Sequence, residues 1–210
     1  MKTTRMFLGA LTLGASLVVA AADDVVKLPA PALNDVTLKQ ALQQRKTSRS
    51  FSAKALAEQE IANLLWAAAG VNRANGKFVI PGARARYAIS LYVARADGVW
   101  KFDSKANTLA KVSALDLRAE SDGRKMGASA PVVVVMVADE KVFGKSQHGM
   151  DYTAIEAGAI MQDLYLYCAA ADLNTVVCGS FKNEPWKKAL SLPDHQRVIL
   201  TQVVGHPAGK

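Results

Sequence analysis

The chain has 210 residues, a formal charge of +8, half of its residues hydrophobic, and two cysteines. That length suits one domain with an adequate core, and two cysteines do not make a disulfide framework. Without a long Lys/Arg block, or basic residues interleaved with aromatics, the surplus charge points to anionic small molecules or acidic surfaces and away from nucleic acid.

Lys2 and Arg5 form a cationic start, residues 7–19 an apolar run, and Ala20-Ala21-Ala22 a stretch of small residues before Asp23. This is the pattern of a secretory signal peptide, cleaved after Ala22. The run is short for a membrane span, which needs about 20 residues. No cysteine follows it, which argues against a lipid-modified N-terminus. The expectation is an exported domain, residues 23–210, periplasmic in a Gram-negative source and with no stable membrane anchor after cleavage.

Residues 23–35, with Pro29 and Pro31, read as an extended lead-in to a helix over 37–44 that Asn34 or Asp35 could cap. Ile61, Leu64, Leu65 and Ala68 recur at helical spacing within 57–70, and Gly70 is a natural stop. Residues 72–86 form a loop rich in Gly, Arg and Asn, with a turn at Pro81-Gly82. Residues 87–94 are rich in strand formers, and 99–102 with 108–112 frame a hairpin. Residues 115–125 are polar, helical or irregular. The nearly unbroken apolar run 131–138 suits a central strand covered on both faces. A long helix over 151–173, a short strand 174–178, a short helix 185–190 and a last strand 198–204 complete the chain. The order predicts an α+β layer protein in place of regular βαβ alternation.

The stretch Arg45-Lys46-Thr47-Ser48-Arg49-Ser50-Phe51 gathers three cations and three hydroxyls at the end of a helix. Guanidinium forks and hydroxyls suit phosphate oxygens or a polyol chain; the bland alternative is a solvated basic loop. Few other residues suggest chemistry. His148, His195 and His206 lack metal-ligand spacing. Ser180, in Gly179-Ser180-Phe181, lacks the nucleophile-elbow pattern. Trp66, Trp100 and Trp186 read as core or interface anchors. Of Tyr165 and Tyr167, at most one is expected to face the core, leaving the other for a partner chain. Cys168 and Cys178 read either as buried small hydrophobes or as a bridge.

Taken together, these pieces resemble the FMN-dependent nitroreductase family, whose members carry an Arg-Arg-Ser-x-Arg-x-Phe signature after their first helix. The 45–51 stretch matches it with changes at the second and third places. The likeness continues in the 57–70 helix, in Ala130-Pro131, in Gly158, Gln162 and Leu164 of the long helix, and in Val203-Val204-Gly205-His206-Pro207. The resemblance implies a central mixed β-sheet flanked by helices, in an entwined homodimer with FMN at the subunit interface. It makes Arg45 and Arg49 phosphate and ribityl ligands, with Lys46 and Thr47 as further donors. Lys125 becomes the cation near the flavin N1/O2 edge, and Gly179 and Ser180 the segment whose backbone N–H groups face O4 and N5. Asp122 falls where an amide side chain often sits, and Lys210 resembles a C-terminal basic residue that reaches the phosphate.

Two departures stand out. Pro81-Gly82-Ala83-Arg84-Ala85-Arg86-Tyr87 has Ala85 and Tyr87 where relatives carry amides facing the substrate, and Arg84 and Arg86 there would favour an anionic substrate. Export also removes the chain from NAD(P)H, the family's usual electron donor. The resemblance implies ping-pong hydride transfer to or from a small organic molecule such as a nitroaromatic or a quinone. The alternatives are an exported flavin-binding module with little turnover and a thiol-active protein using Cys168 and Cys178.

Overall fold

The computed structural model describes residues 25–209; the stretch read as a signal peptide and Lys210 lie outside the described residues. Seven strands form one sheet in the order β1-β4-β3-β2-β5-β7-β6. They are β1 (Val25–Lys27), β2 (Ile89–Arg95), β3 (Gly98–Asp103), β4 (Thr108–Ser113), β5 (Val132–Asp139), β6 (Asn174–Cys178) and β7 (Gln196–Gly205). Helices α1 (Leu38–Gln44), α2 (Glu58–Ala69), α3 (Gln147–Ala170) and α4 (Asn183–Ala189) flank it. The α+β class expected from the sequence holds. The sheet differs from the expected mixed one: all six strand pairings among the described residues are antiparallel.

The apolar run is the central strand β5, between β2 and β7, and Val132 through Ala138 are essentially inaccessible. A strand with no polar side chain must be covered on both faces. Val132, Val134, Met136 and Ala138 point to one core layer with Ile61, Leu64 and Leu65 of α2 and Ile160 and Leu164 of α3. Val133, Val135 and Val137 point to the other layer with Trp186 of α4, Phe51 and Val203. Trp186 is fully buried and donates its indole N–H to Glu120 O at 3.1 Å, tying α4 to the loop that precedes β5.

Local chemistry sets the helix ends. Thr37, not Asn34 or Asp35, caps α1, because Gln40 three residues on completes a reciprocal capping box: Gln40 N–H donates to Thr37 Oγ1 at 3.2 Å and Thr37 N–H to Gln40 Oε1 at 2.9 Å. Helix α3 begins four residues before the expected start, where the Ser146 hydroxyl accepts from Gly149 N–H at 3.3 Å. Tyr165 and Tyr167 are both buried, against the expectation that one would be left for a partner. Two residues apart on a helix, they point to opposite sides: the Tyr167 hydroxyl donates to Glu60 O of α2, and the Tyr165 hydroxyl lies beside β6.

Within the buried face of α3, the Glu156 carboxylate accepts from Ala88 N–H at 2.9 Å and Ile89 N–H at 3.0 Å, fixing the start of β2. Burial pushes its carboxyl above the ordinary glutamate range, the two N–H donors only partly offsetting the effect. The folded state therefore holds the proton more tightly than the unfolded chain. The associated stability is fully present below the ordinary glutamate pKa and is lost as pH rises through the folded value. The stability advantage of the native chain over Glu156→Gln should accordingly be larger near pH ~4 than near pH ~8, read by denaturant unfolding at each pH; an advantage that grew with pH would contradict this assignment.

Candidate functional site

The basic segment after α1 is held at several points. Arg45 N–H closes the helix on Ala41 O at 2.9 Å. Ser48 N–H donates to Thr175 O at 2.9 Å, and Asn174 Nδ2 donates to Ser50 O at 2.8 Å, so the segment runs beside the sheet's edge strand β6. Phe51 then plunges into the second core layer, and Ser52 N–H donates to His206 O at 2.9 Å. The backbone of the segment is thus pinned, while Lys46, Thr47, Arg49 and Ser50 stay exposed to solvent.

Its side chains divide between two concavities. Arg49 lines a cleft of about 330 Å³ with Asp122, Gly123, Arg124, Cys178, Gly179 and Ser180. Lys46 lines a separate depression of about 380 Å³ with Gln43, Gln44, Asn174 and Pro207. Arg45 stacks over the Tyr165 ring with its guanidinium carbon 5.2 Å from the centroid, and Thr47 Oγ1 lies 3.1 Å from the Tyr165 hydroxyl. Among the described residues none of Arg45, Lys46, Arg49, Arg124 or Lys125 forms an ion pair. By contrast Arg95 is paired with Glu58 and Asp97, and Arg118 with Asp116.

The opposite wall of the cleft is a loop organised by Asp122. Its carboxylate accepts from Arg124 N–H at 2.8 Å, Met126 N–H at 3.0 Å, Gly127 N–H at 3.0 Å and the Ser121 hydroxyl at 3.2 Å. With four donors from its own loop, this buried carboxylate serves the turn and not the cleft. Gly123 N–H donates to Ser180 O at 2.9 Å, and the Thr201 hydroxyl donates to Ser121 O at 2.5 Å, joining the loop to β7 and to the end of β6. Lys125 is exposed, with a left-handed backbone (φ 55°), and does not line the cleft, whereas its neighbour Arg124 does. Sequence reasoning passed over Arg124 because it stands beside the lysine that the family pattern favours. Gly179 and Ser180 are exposed at the end of β6, whose pairing with β7 stops at Cys178–Thr201. A Cβ added at Gly179 would meet only Leu200 Cδ2, at 3.6 Å, an ordinary contact; the fold itself does not require glycine there.

Cys168 and Cys178 are both free and buried. Burial pushes the Cys168 thiol up to about 12. It pushes Cys178 up to about 11, with the Asp122 carboxylate adding and Arg49 and Arg124 partly offsetting. Neither is a ready thiolate, which removes the support for a thiol-active protein. The loop 81–87 is spent on its own fold. Arg86 donates to Val142 O and lies over Phe143, and Tyr87 stacks on Phe78 with ring centroids 4.2 Å apart. Among the described residues no group of three or more His, Cys, Asp or Glu side chains is placed to hold a metal ion, and no helix is long and apolar enough to cross a membrane.

Known proteins carry the same architecture. The model of the Nitroreductase family matches residues 42–206, the span from within α1 to just past the end of β7. A provisionally named nitroreductase of Methanocaldococcus jannaschii is 24% identical over 196 residues, 84% of this chain and 96% of its own length. The crystal structure of a protein from Ralstonia eutropha JMP134, likewise provisionally titled a nitroreductase, superimposes with a TM-score of 0.85 at 31% identity, covering 91% of this chain and 93% of that one. A chain of the Escherichia coli microcin synthetase complex shares the fold at 16% identity, with a TM-score of 0.68, covering 98% of this chain and 85% of its own. This chain belongs to the nitroreductase family, and with it to oxidoreductases of the flavin type.

Proposed function

We propose that the chain is an exported FMN-dependent oxidoreductase, working as a homodimer on a small organic substrate such as a nitroaromatic or a quinone. The observation that carries this reading is the pinned basic segment: Arg45, Lys46 and Arg49, with no acidic partner among the described residues, lie along β6 beside a cleft walled by Gly179 and Ser180. Unpaired guanidinium and ammonium groups with a hydroxyl among them form a donor set suited to a phosphomonoester and a polyol. The residues present therefore fit FMN.

In this reading Arg45, Lys46, Thr47 and Arg49 bind the phosphate and ribityl chain, joined by Lys210. The backbone of Gly179 and Ser180 faces the ring system, where a side chain at 179 would intrude on a close approach. Arg124, in the cleft wall, and Lys125 beside it place positive charge where reduction of the ring builds negative charge. Asp122 holds their loop in shape. When bound, FMN supplies the hydride chemistry, accepting a hydride from one partner and passing it to another. The protein binds and orients.

Leu38 and Leu42 of α1 and Met150, Tyr152 and Ile155 of α3 are apolar and exposed, which supports a second copy as their cover. A second reading, a flavin-binding module with little turnover, is favoured by the loop 81–87, since Arg86 and Tyr87 are committed to internal contacts. In the oxidoreductase reading the electron donor is NAD(P)H or a reductant available outside the cytoplasm, and mass spectrometry of the mature chain should find Asp23 at its N-terminus.

The purified protein should be yellow, with oxidised-flavin absorbance, or take up FMN on reconstitution; a colourless dimer refractory to FMN would overturn the flavin reading. Reduction of the bound flavin by NADH, NADPH or a quinol, then reoxidation by a nitroaromatic or quinone, separates the enzyme from the module, for which no donor tried should reduce it. Arg45→Ala should remove one charge-assisted phosphate contact, about 1.5–3 kcal/mol, and weaken FMN roughly tenfold or more with the dimer intact. Gly179→Ala should leave thermal stability unchanged, because its Cβ fits the fold, while weakening flavin binding in a fluorescence titration. Equal affinity in the two proteins would remove Gly179 from the site.

A further inference from the structure

The hydroxyl of Tyr165 stands at the junction between β6 and the basic segment. It lies 3.1 Å from Val177 N and 3.1 Å from Thr47 Oγ1, and its side chain is buried. A tyrosine hydroxyl has one proton to donate and two lone pairs to accept with. Val177 N–H can only donate, so it occupies one of those lone pairs. The tyrosine's own proton then needs an acceptor, since a buried O–H left unpaired is costly. Among the described residues Thr47 Oγ1 is the only acceptor within hydrogen-bond reach. Thr47 Oγ1 is the acceptor the described residues offer, and a hydrogen bond from Tyr165 to Thr47 leaves the threonine's own proton free for a ligand at its exposed position. The ring of the same tyrosine carries the Arg45 guanidinium at 5.2 Å, a contact that orients a cation without neutralising it.

We propose that Tyr165 is a positioning residue of the anion site. Its ring holds Arg45, and the chain Val177 N–H to Tyr165 O–H to Thr47 O–H presents a polarised donor to the phosphomonoester of the flavin. The proposal rests on the reading of the basic segment as the phosphate end of an FMN site. Hydrogen bonds linked in series strengthen one another, so the last donor in the chain is a better phosphate ligand than an isolated threonine. The arrangement also explains why a tyrosine is useful at this point of α3: a phenylalanine would fill the same space and still underlie Arg45. It would leave Val177 N–H without its partner and Thr47 free to turn its proton elsewhere.

The test compares FMN with riboflavin, which has the same ring and ribityl chain but no phosphate. Dissociation constants for both are measured by flavin fluorescence with the full-length protein and its variants. The native protein should prefer FMN, and Tyr165→Phe should reduce that preference roughly threefold to tenfold, weakening FMN more than riboflavin. Thr47→Val should do the same and Thr47→Ser, which keeps the hydroxyl, should not. In the double variant Tyr165→Phe with Thr47→Val, the preference should fall no further than with Thr47→Val alone. If Tyr165→Phe weakens FMN and riboflavin equally, or if its effect adds to that of Thr47→Val, the tyrosine is merely structural and the proposal fails while the phosphate site stands. Should Tyr165→Phe unfold, Thr47→Val at an exposed position still decides, because an unchanged preference there overturns the proposal. A native protein that binds the two flavins equally overturns both the proposal and the phosphate-site reading beneath it.

Discussion

The rest of this structure depends on β5, a strand with no polar side chain from Val132 to Ala138. Backbone hydrogen bonds to β2 and β7 satisfy its edges, but its side chains can be kept from water only by cover on both faces. The first face takes α2 and the long helix α3. The second has one short helix, α4, so Trp186, Phe51 and Leu117 fill what a longer helix would have covered. That thinner cover sets the site. Trp186 fixes the loop before β5 through Glu120, Thr201 fixes it through Ser121, and the same loop carries Asp122, Gly123 and Arg124 to the cleft.

A second constraint acts at the end of the sheet. β6 is an edge strand, and an uncovered edge invites pairing with other chains. The 45–51 segment lies along it and is bonded to it through Ser48 N–H and the Asn174 side chain, with Lys46 and Arg49 exposed. Charged cover of this kind blunts an edge whatever else it does. The binding segment and the protected edge are thus one feature. Phe51 in the core and Ala41 in α1 anchor its two ends, so the donors between them stand on fixed backbone.

The parts legible in the sequence were those set by local rules. The apolar run gave β5 its place, the turn residues between 103 and 107 gave the β3–β4 hairpin, and the basic stretch declared itself by composition. What could not be read depended on how elements meet. Tyr165 and Tyr167 were expected to compete for one buried face, but α3 is wedged between α2 on one side and β6 on the other and buries both. Asp122 had a family position but no visible partner, because three of its four donors are backbone N–H groups gathered by a turn that only the folded loop creates. Of two adjacent cations the family pattern favours Lys125, and only the folded loop shows that Arg124 is the one lining the cleft. The antiparallel pairing of β5 with β2 and β7 likewise rests on long connections whose course no local pattern fixes.

The distribution of arginine partners explains why the site is where it is. Arg95 and Arg118 sit against carboxylates, Arg95 also over Trp100, and Arg86 is anchored on Val142 O and over Phe143. These three brace the fold. The cations at 45, 46 and 49 instead have a ring, backbone bonds and a helix end around them, and they form no ion pair among the described residues, although Asp122 and Asp172 share their concavities. An exposed cation suffers little from such isolation, since water screens it. Several held together on a pinned backbone repel one another, however, and that repulsion is relieved when an anion arrives. The positive potential is therefore stored where the backbone is least free to relax it. That favours binding of a multiply charged group such as a phosphomonoester over the diffuse attraction that the net charge alone would give.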